Sequence, residues 1–234
     1  LTLDPSSIPV SDVRWSPSYR IIPTRYPPIQ LFEKVADPAH LEDVFLIESL
    51  TNTRLRDEAG DLSLVPSEER VSGPGTSFIM SPFTHLSPER GGRFSDSTFG
   101  AYYASRELNT AIAETVHHRE RFLRDSNEPL MRLDMRVIRS NLAAPLHDLR
   151  GMRAALPEIY DPDDYGRSQA LARALRAAGS WGLVFESVRR ETGECAAVFR
   201  PRALSPAKLA EHLEYVWDGE RISEVFYRKR LLRR

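Results

Sequence analysis

The stretch GGRFSDSTFGAYYASRELNTAIAE, residues 91–114, decides how the rest of the chain is read. It opens on a double glycine and an arginine, passes through paired tyrosines and ends on the carboxylate of Glu114. The order is loop, short strand, helix. Residues 100–104 (GAYYA) carry the aromatic side chains that suit a strand. Leu108, Ala111, Ile112, Thr115, Val116, Phe122 and Leu123 then recur at helical spacing, with Ser105 or Asn109 as the cap. Loop-to-helix junctions hold anions, because free backbone N–H groups and a helix N-terminus point the same way. On the helical wheel Glu114, His118 and Arg121 share a face apart from the apolar stripe. Glu114 is therefore expected to look out beside the strand that carries Tyr103.

Toward the N-terminus, residues 1–18 hold Pro5, Pro9 and Pro17 and read as an extended arm. Residues 19–22 (YRII) read as a first short strand. Asp37-Pro38 signals a helix over about 38–51 with Asn52 as its stop. Residues 55–76 are irregular, with a turn at Gly73-Pro74-Gly75, and 78–80 read as a short strand. Toward the C-terminus, 130–138 (LMRLDMRVI) alternates as a half-buried strand does, and 141–149 reads as its end and a loop. Residues 168–178 form an alanine-rich helix closed by Gly179. Residues 181–188 (WGLVFESV) form a buried strand with 195–199 (CAAVF) as hairpin partner. Pro206 opens a short helix, and a terminal hairpin turns at Asp218-Gly219. The elements mix rather than alternate as βαβ. The expectation is one α+β domain with a central antiparallel or mixed sheet flanked by helices. It comprises an arm over 1–18 and a body over 19–234, with an insertion at about 33–90.

Composition narrows the function classes. The chain has 234 residues, is 41% hydrophobic and carries 32 basic against 33 acidic residues, so a proper core is available and no global charge favours nucleic acid. The single cysteine, Cys195, excludes an internal disulfide and any cysteine-rich zinc module. No apolar run approaches the ~20 residues of a membrane span, and the acidic, proline-bearing N-terminus does not read as a signal peptide. A soluble cytoplasmic protein is the expectation.

Several standard sites are unsupported. Glu114 and His117 match the Glu-x-x-His half of a di-iron site, but a second copy is missing, so no metal is expected. Ser187 lies in a strand run rather than in Gly-x-Ser-x-Gly, and no Lys-Ser/Thr follows the double glycine as in a phosphate loop. Taken singly, Arg93 reads as a surface arginine and Tyr103 as a core tyrosine. Chemistry on a dinucleotide, however, asks for cations at the pyrophosphate, an aromatic ring for a planar base and a carboxylate beside a developing positive sugar. Arg20, Arg93, Tyr103 and Glu114 supply all three.

Four pieces of the chain, in order, resemble the RES domain family, named for its arginine, glutamate and serine. They are Tyr19-Arg20-Ile21 with Arg25 behind, and Gly91-Gly92-Arg93-Phe94. Then come Tyr103-Ala104 with Ala113-Glu114, and the run Gly182 to Arg189 that contains Ser187. Phe94 and Ser95 stand where the family usually has Trp-Asn, and the spacing from the first arginine to Gly91 is longer than in compact members. The resemblance implies an ADP-ribosyltransferase-like fold. It also implies a toxin of a bacterial toxin–antitoxin pair, which cleaves the nicotinamide–ribose bond of NAD with phosphate, water or a protein side chain as acceptor. It further implies an antitoxin partner with a helix-turn-helix domain; a homodimer suits a module of this kind. In that reading Glu114 stabilises the ribosyl cation, and Arg20 or Arg25, together with Arg93, clamps the pyrophosphate. Tyr103 stacks on nicotinamide or binds the ribose, and Ser187 fixes the nicotinamide end or the neighbouring ribose. NAD is a substrate and inorganic phosphate a co-substrate; no permanently bound cofactor is implied. The contrasting reading is a non-enzymatic module that binds a nucleotide in the same pocket or a protein through the inserted helix and basic tail.

Overall fold

A computed structural model of the chain describes residues 4–49, 58–86 and 91–229. Strand β1 spans Val10–Pro23, helix α1 Gln30–Lys34, α2 Leu41–Ser49 and α3 Ser77–Thr84. Strand β2 spans Tyr102–Ser105, helix α4 Leu108–Asp125, β3 Met131–Asp148 and α5 Gly166–Ala177. The chain continues through β4 (Gly182–Glu186), β5 (Glu194–Val198), β6 (Lys208–Trp217) and β7 (Ile222–Arg228).

One sheet organises the molecule, with strand order β1-β2-β5-β4-β3-β6-β7 and a further pairing of β1 with β3. That extra pairing closes β1, β2, β5, β4 and β3 into a ring, from which the β6–β7 hairpin extends. All neighbours are antiparallel except β3 and β4, so the fold is α+β with a mixed sheet.

The first strand is longer than residues 19–22. It begins at Val10 and pairs with β3 from Val10↔His147 to Pro23↔Met135. The second half of the expected arm is therefore β-strand, and Pro17 fits because of a bulge: Ser16 and Pro17 together oppose Asn141 where the register slips between Trp15 and Ser18. A bulge is where a strand tolerates a residue without an N–H. Strand β3 likewise continues through 141–148, in place of the expected loop. Leu142, Ala144 and Leu146 alternate inward as they pair with β1.

Two short elements depart from the sequence pattern because distant partners set their conformation. Residues 78–80 lie in helix α3, not a strand, with Phe78, Ile79, Met80 and Phe83 buried. A short apolar run looks alike in either conformation until a neighbour chooses. Pro206 does not start a helix; it precedes β6, whose partner β3 dictates extension. Asp37 caps a 3₁₀ turn that runs into α2, through a 2.9 Å bond from the Ala39 N–H to its side chain. The expected helix stop at Asn52 lies outside the described residues. Helix α5 closes on Gly179 at φ 78°, with the Ser180 N–H bonded to the Leu175 carbonyl.

The segment read as an insertion joins the main core. Phe32, Leu41, Leu62, Val65, Ile79 and Met80 pack with Trp15, Tyr102 and Leu142 of the sheet. A second cluster joins α5 to β4 and β5 through Leu171, Leu175, Phe185 and Ala197. The third seats α4 on the other sheet face, with Ala111, Ile112 and Val116 against Ile21, Met135, Val137 and Leu213.

Candidate active site

Strands β1 and β2 share a single paired position, Tyr19↔Ser105. Beside this brief contact α4 crosses the sheet, and the gap between helix and strands is a cleft of about 240 Å³. Arg20 from β1, Tyr103 from β2 and Glu114 from α4 all line it, with Cys195 of β5 also in the lining. A larger hollow of about 490 Å³ lies near Pro17 and Asn141, but none of the site residues expected from the sequence enters it. The chemistry selects the smaller cleft.

Glu114 is aimed by a hydroxyl. Ser187 Oγ donates to Glu114 Oε1 at 2.6 Å and accepts from the backbone N–H groups of Arg189 and Arg190 at 3.1 and 3.0 Å. The Ser187 residue is only 2% exposed and stands behind Glu114 rather than in the cleft wall. Its turn is tied to the start of α4. Arg190 donates to Glu107 and Thr110 at 2.5 and 2.8 Å, and a Cβ on Gly193 would sit 2.7 Å from the Thr110 methyl. Glu114 thus looks off the core stripe, as the wheel indicates, and its direction is set across 73 residues of chain.

Arg20 donates to the Tyr103 carbonyl at 3.0 Å, and its guanidinium carbon lies 4.9 Å above the Tyr102 ring. Burial lowers its pKa, opposed by the two tyrosines. The ring and one carbonyl hold the guanidinium without a carboxylate partner, so donors remain for a ligand. Arg25 lies past the end of β1, exposed, and donates to the Tyr26 hydroxyl at 3.0 Å. It is not part of the cleft lining.

Tyr103 lines the cleft, and its hydroxyl is engaged with the 92–95 turn. The hydroxyl accepts the Phe94 N–H at 2.8 Å and shares a 3.0 Å bond with Ser95 Oγ. Burial pushes its pKa up to about 12. The double glycine serves this contact: a Cβ on Gly92 would fall 2.4 Å from the Tyr103 hydroxyl oxygen. Close approach there is to the tyrosine, and Gln169 Nε2 caps the Gly92 and Ser95 carbonyls at 3.0 and 3.2 Å.

Arg93 is placed differently from its expected role as a pyrophosphate clamp. It is 7% exposed, donates to the Ile159 and Asp161 carbonyls at 3.0 and 2.6 Å, and lies 4.6 Å over the Tyr165 ring. Its guanidinium holds the 159–165 loop and does not line the cleft. Burial lowers its pKa, opposed by Tyr165 and by the charge of Glu114.

Thr115, His118 and Arg119 of α4 also line the cleft. His118 shares the Glu114 face, as the wheel indicates. Arg119 is absent from the residues expected there, although it falls four residues after Thr115 and eight after Ala111, and a cation in an apolar stripe is a legible signal. No described residue between 33 and 86 reaches the cleft. Among the described residues no three His, Cys, Asp or Glu side chains gather as a metal site, and no helix is long and apolar enough to cross a membrane.

Fold and cleft define an α+β protein built around an arginine, a glutamate and the serine that aims it. The RES domain model matches residues 67–218, and the chain belongs to the RES domain family. A Sinorhizobium fredii (strain NBRC 101917 / NGR234) protein described as "Uncharacterized protein y4oC" is 30% identical over 210 residues, covering 89% of this chain and 86% of that protein. A solved structure titled as the M. tuberculosis MbcT–MbcA toxin–antitoxin complex aligns at TM-score 0.40 and 15% identity, over 56% of this chain and 74% of that one.

Proposed function

We propose that this chain is a toxin that consumes NAD by cleaving its nicotinamide–ribose bond. The observation that carries the reading is the 2.6 Å bond from Ser187 to Glu114, which fixes a carboxylate in a cleft shared with Arg20 and Tyr103. Breaking the glycosidic bond builds positive charge on the ribose, and a preset carboxylate stabilises that charge without reorganising at the moment of reaction. Nicotinamide departs as a neutral base and needs little acid help, so positioning and electrostatics suffice. The Tyr103 ring offers a stacking face, since its hydroxyl is engaged with the 92–95 turn. Arg20 faces the pyrophosphate. Ligand pockets are usually roughly 300–1,000 Å³, and a cleft of about 240 Å³ suits the reacting end of a dinucleotide, with the adenosine end extending outward.

Water and inorganic phosphate are the acceptors this reading favours, with no permanently bound cofactor. The family resemblance adds a cytoplasmic site of action, a homodimer and an antitoxin partner with a helix-turn-helix domain. Release of free nicotinamide from NAD tests the reading. Glu114→Ala should lower the rate by about 10²–10³, and phosphate added to the wild-type reaction separates phosphorolysis from hydrolysis. Full activity in Glu114→Ala would sink the assignment.

A further inference from the structure

The cleft contains a second cation with no assigned task. Arg119 lines it from α4. Among the described residues Arg119 makes no hydrogen bond and no ion pair, and its Nε is sealed from solvent without an acceptor. A ligand oxygen reaches Nε no better than water does, so the terminal N–H groups of the guanidinium are the donors left for a ligand. What holds the side chain is a ring: its guanidinium carbon lies 6.0 Å from the Phe122 centroid. Ring contact orders an arginine without consuming its N–H donors.

We propose that Arg119 is a phosphate ligand of the cleft that Arg20 and Glu114 also line. A guanidinium fork matches the oxygens of a tetrahedral oxyanion. The charges around it agree. Burial lowers the Arg119 pKa, Tyr26 opposes this, and the nearby Arg25 adds repulsion. An anion relieves both the burial penalty and the repulsion. His118 stands on the same wall, and Glu114 is the one carboxylate in the lining, held by Ser187 rather than by Arg119. The inference deepens the reading above and rests on it for the dinucleotide. Two sources share the chemistry: the substrate's own pyrophosphate, and inorganic phosphate arriving as acceptor.

The test is calorimetric titration of the full chain with inorganic phosphate and, separately, with ADP-ribose, at constant ionic strength. Wild type is compared with Arg119→Met, which keeps an apolar stem against Phe122 and removes the charge. Loss of a charge-assisted bond predicts roughly 10–100-fold weaker binding. Weakening with phosphate assigns the acceptor site, and weakening with ADP-ribose alone assigns the substrate's pyrophosphate. Arg119→Met should also melt no lower than wild type, because it removes an unsatisfied buried N–H. Unchanged binding in both arms, or a lower melting temperature without loss of binding, overturns the proposal. Failure here is separable from failure of the NAD reading. Binding that depends on Arg119 in a chain that leaves NAD intact removes that reading and keeps the subsite. Nicotinamide release by a wild type whose ligand binding ignores Arg119→Met removes the subsite alone.

Discussion

Ser187→Ala tests whether the serine acts on substrate or on Glu114. The hydroxyl makes a 2.6 Å bond to a carboxylate and accepts two backbone N–H groups. A charge-assisted bond contributes about 1.5–3 kcal/mol, and each neutral one about 1 kcal/mol. With water partly replacing the lost partners, the variant should lose about 2–4 kcal/mol of stability. For a domain of this size each kcal/mol shifts the melting temperature by about 2–4 °C, so a fall of roughly 5–15 °C is expected. Freed from Ser187, the carboxylate swings out of line, and misplacement on that scale costs about 10–100-fold in kcat. KM for NAD should hardly move, since Ser187 does not line the cleft. The assay is nicotinamide release over a range of NAD concentrations for Ser187→Ala, Glu114→Ala and the double variant. Because the serine works through the glutamate, the double variant should be no slower than Glu114→Ala alone. Independent, multiplicative losses, or a large KM change with kcat intact, would refute the reasoning and return Ser187 to substrate contact.

Two further outcomes follow from the geometry. Arg93→Ala orphans two carbonyls and frees the 159–165 loop, so it should cost about 2–4 kcal/mol in denaturant unfolding; an unchanged midpoint would contradict the structural role seen here. Tyr103 keeps its proton to about 12 in the folded chain, against 10.0 when unfolded. Between those values the unfolded chain has released a proton that the folded one retains, so this contribution to stability, present below pH 10.0, is lost as pH rises through the window. Tyr103→Phe should flatten that alkaline decline, and an equal slope in both proteins would show that the tyrosine titrates normally.

The legible parts of the fold are those decided by local pattern. Helix α4, the β4–β5 and β6–β7 hairpins and the Gly179 stop follow from apolar spacing and turn residues close in sequence. The parts that read differently needed a distant partner. Pro17 suggests an arm in residues that β3 recruits into a sheet, and Pro145 hides the continued alternation of β3 itself. A proline argues against regular structure only until a bulge accommodates it.

The candidate site divides along the same line. Residue types alone grouped Arg20, Arg93, Tyr103 and Glu114 in one chemistry, and the helical wheel set Glu114 off the apolar stripe of its helix. The tertiary structure decided what each group is free to do. It engaged Arg93 with two loop carbonyls, turned Ser187 toward Glu114 and left Arg119 without a hydrogen-bond partner in the cleft lining. The physical reason is that a side chain's hydrogen-bond partners here lie 66 to 73 residues away, at a distance no local pattern encodes.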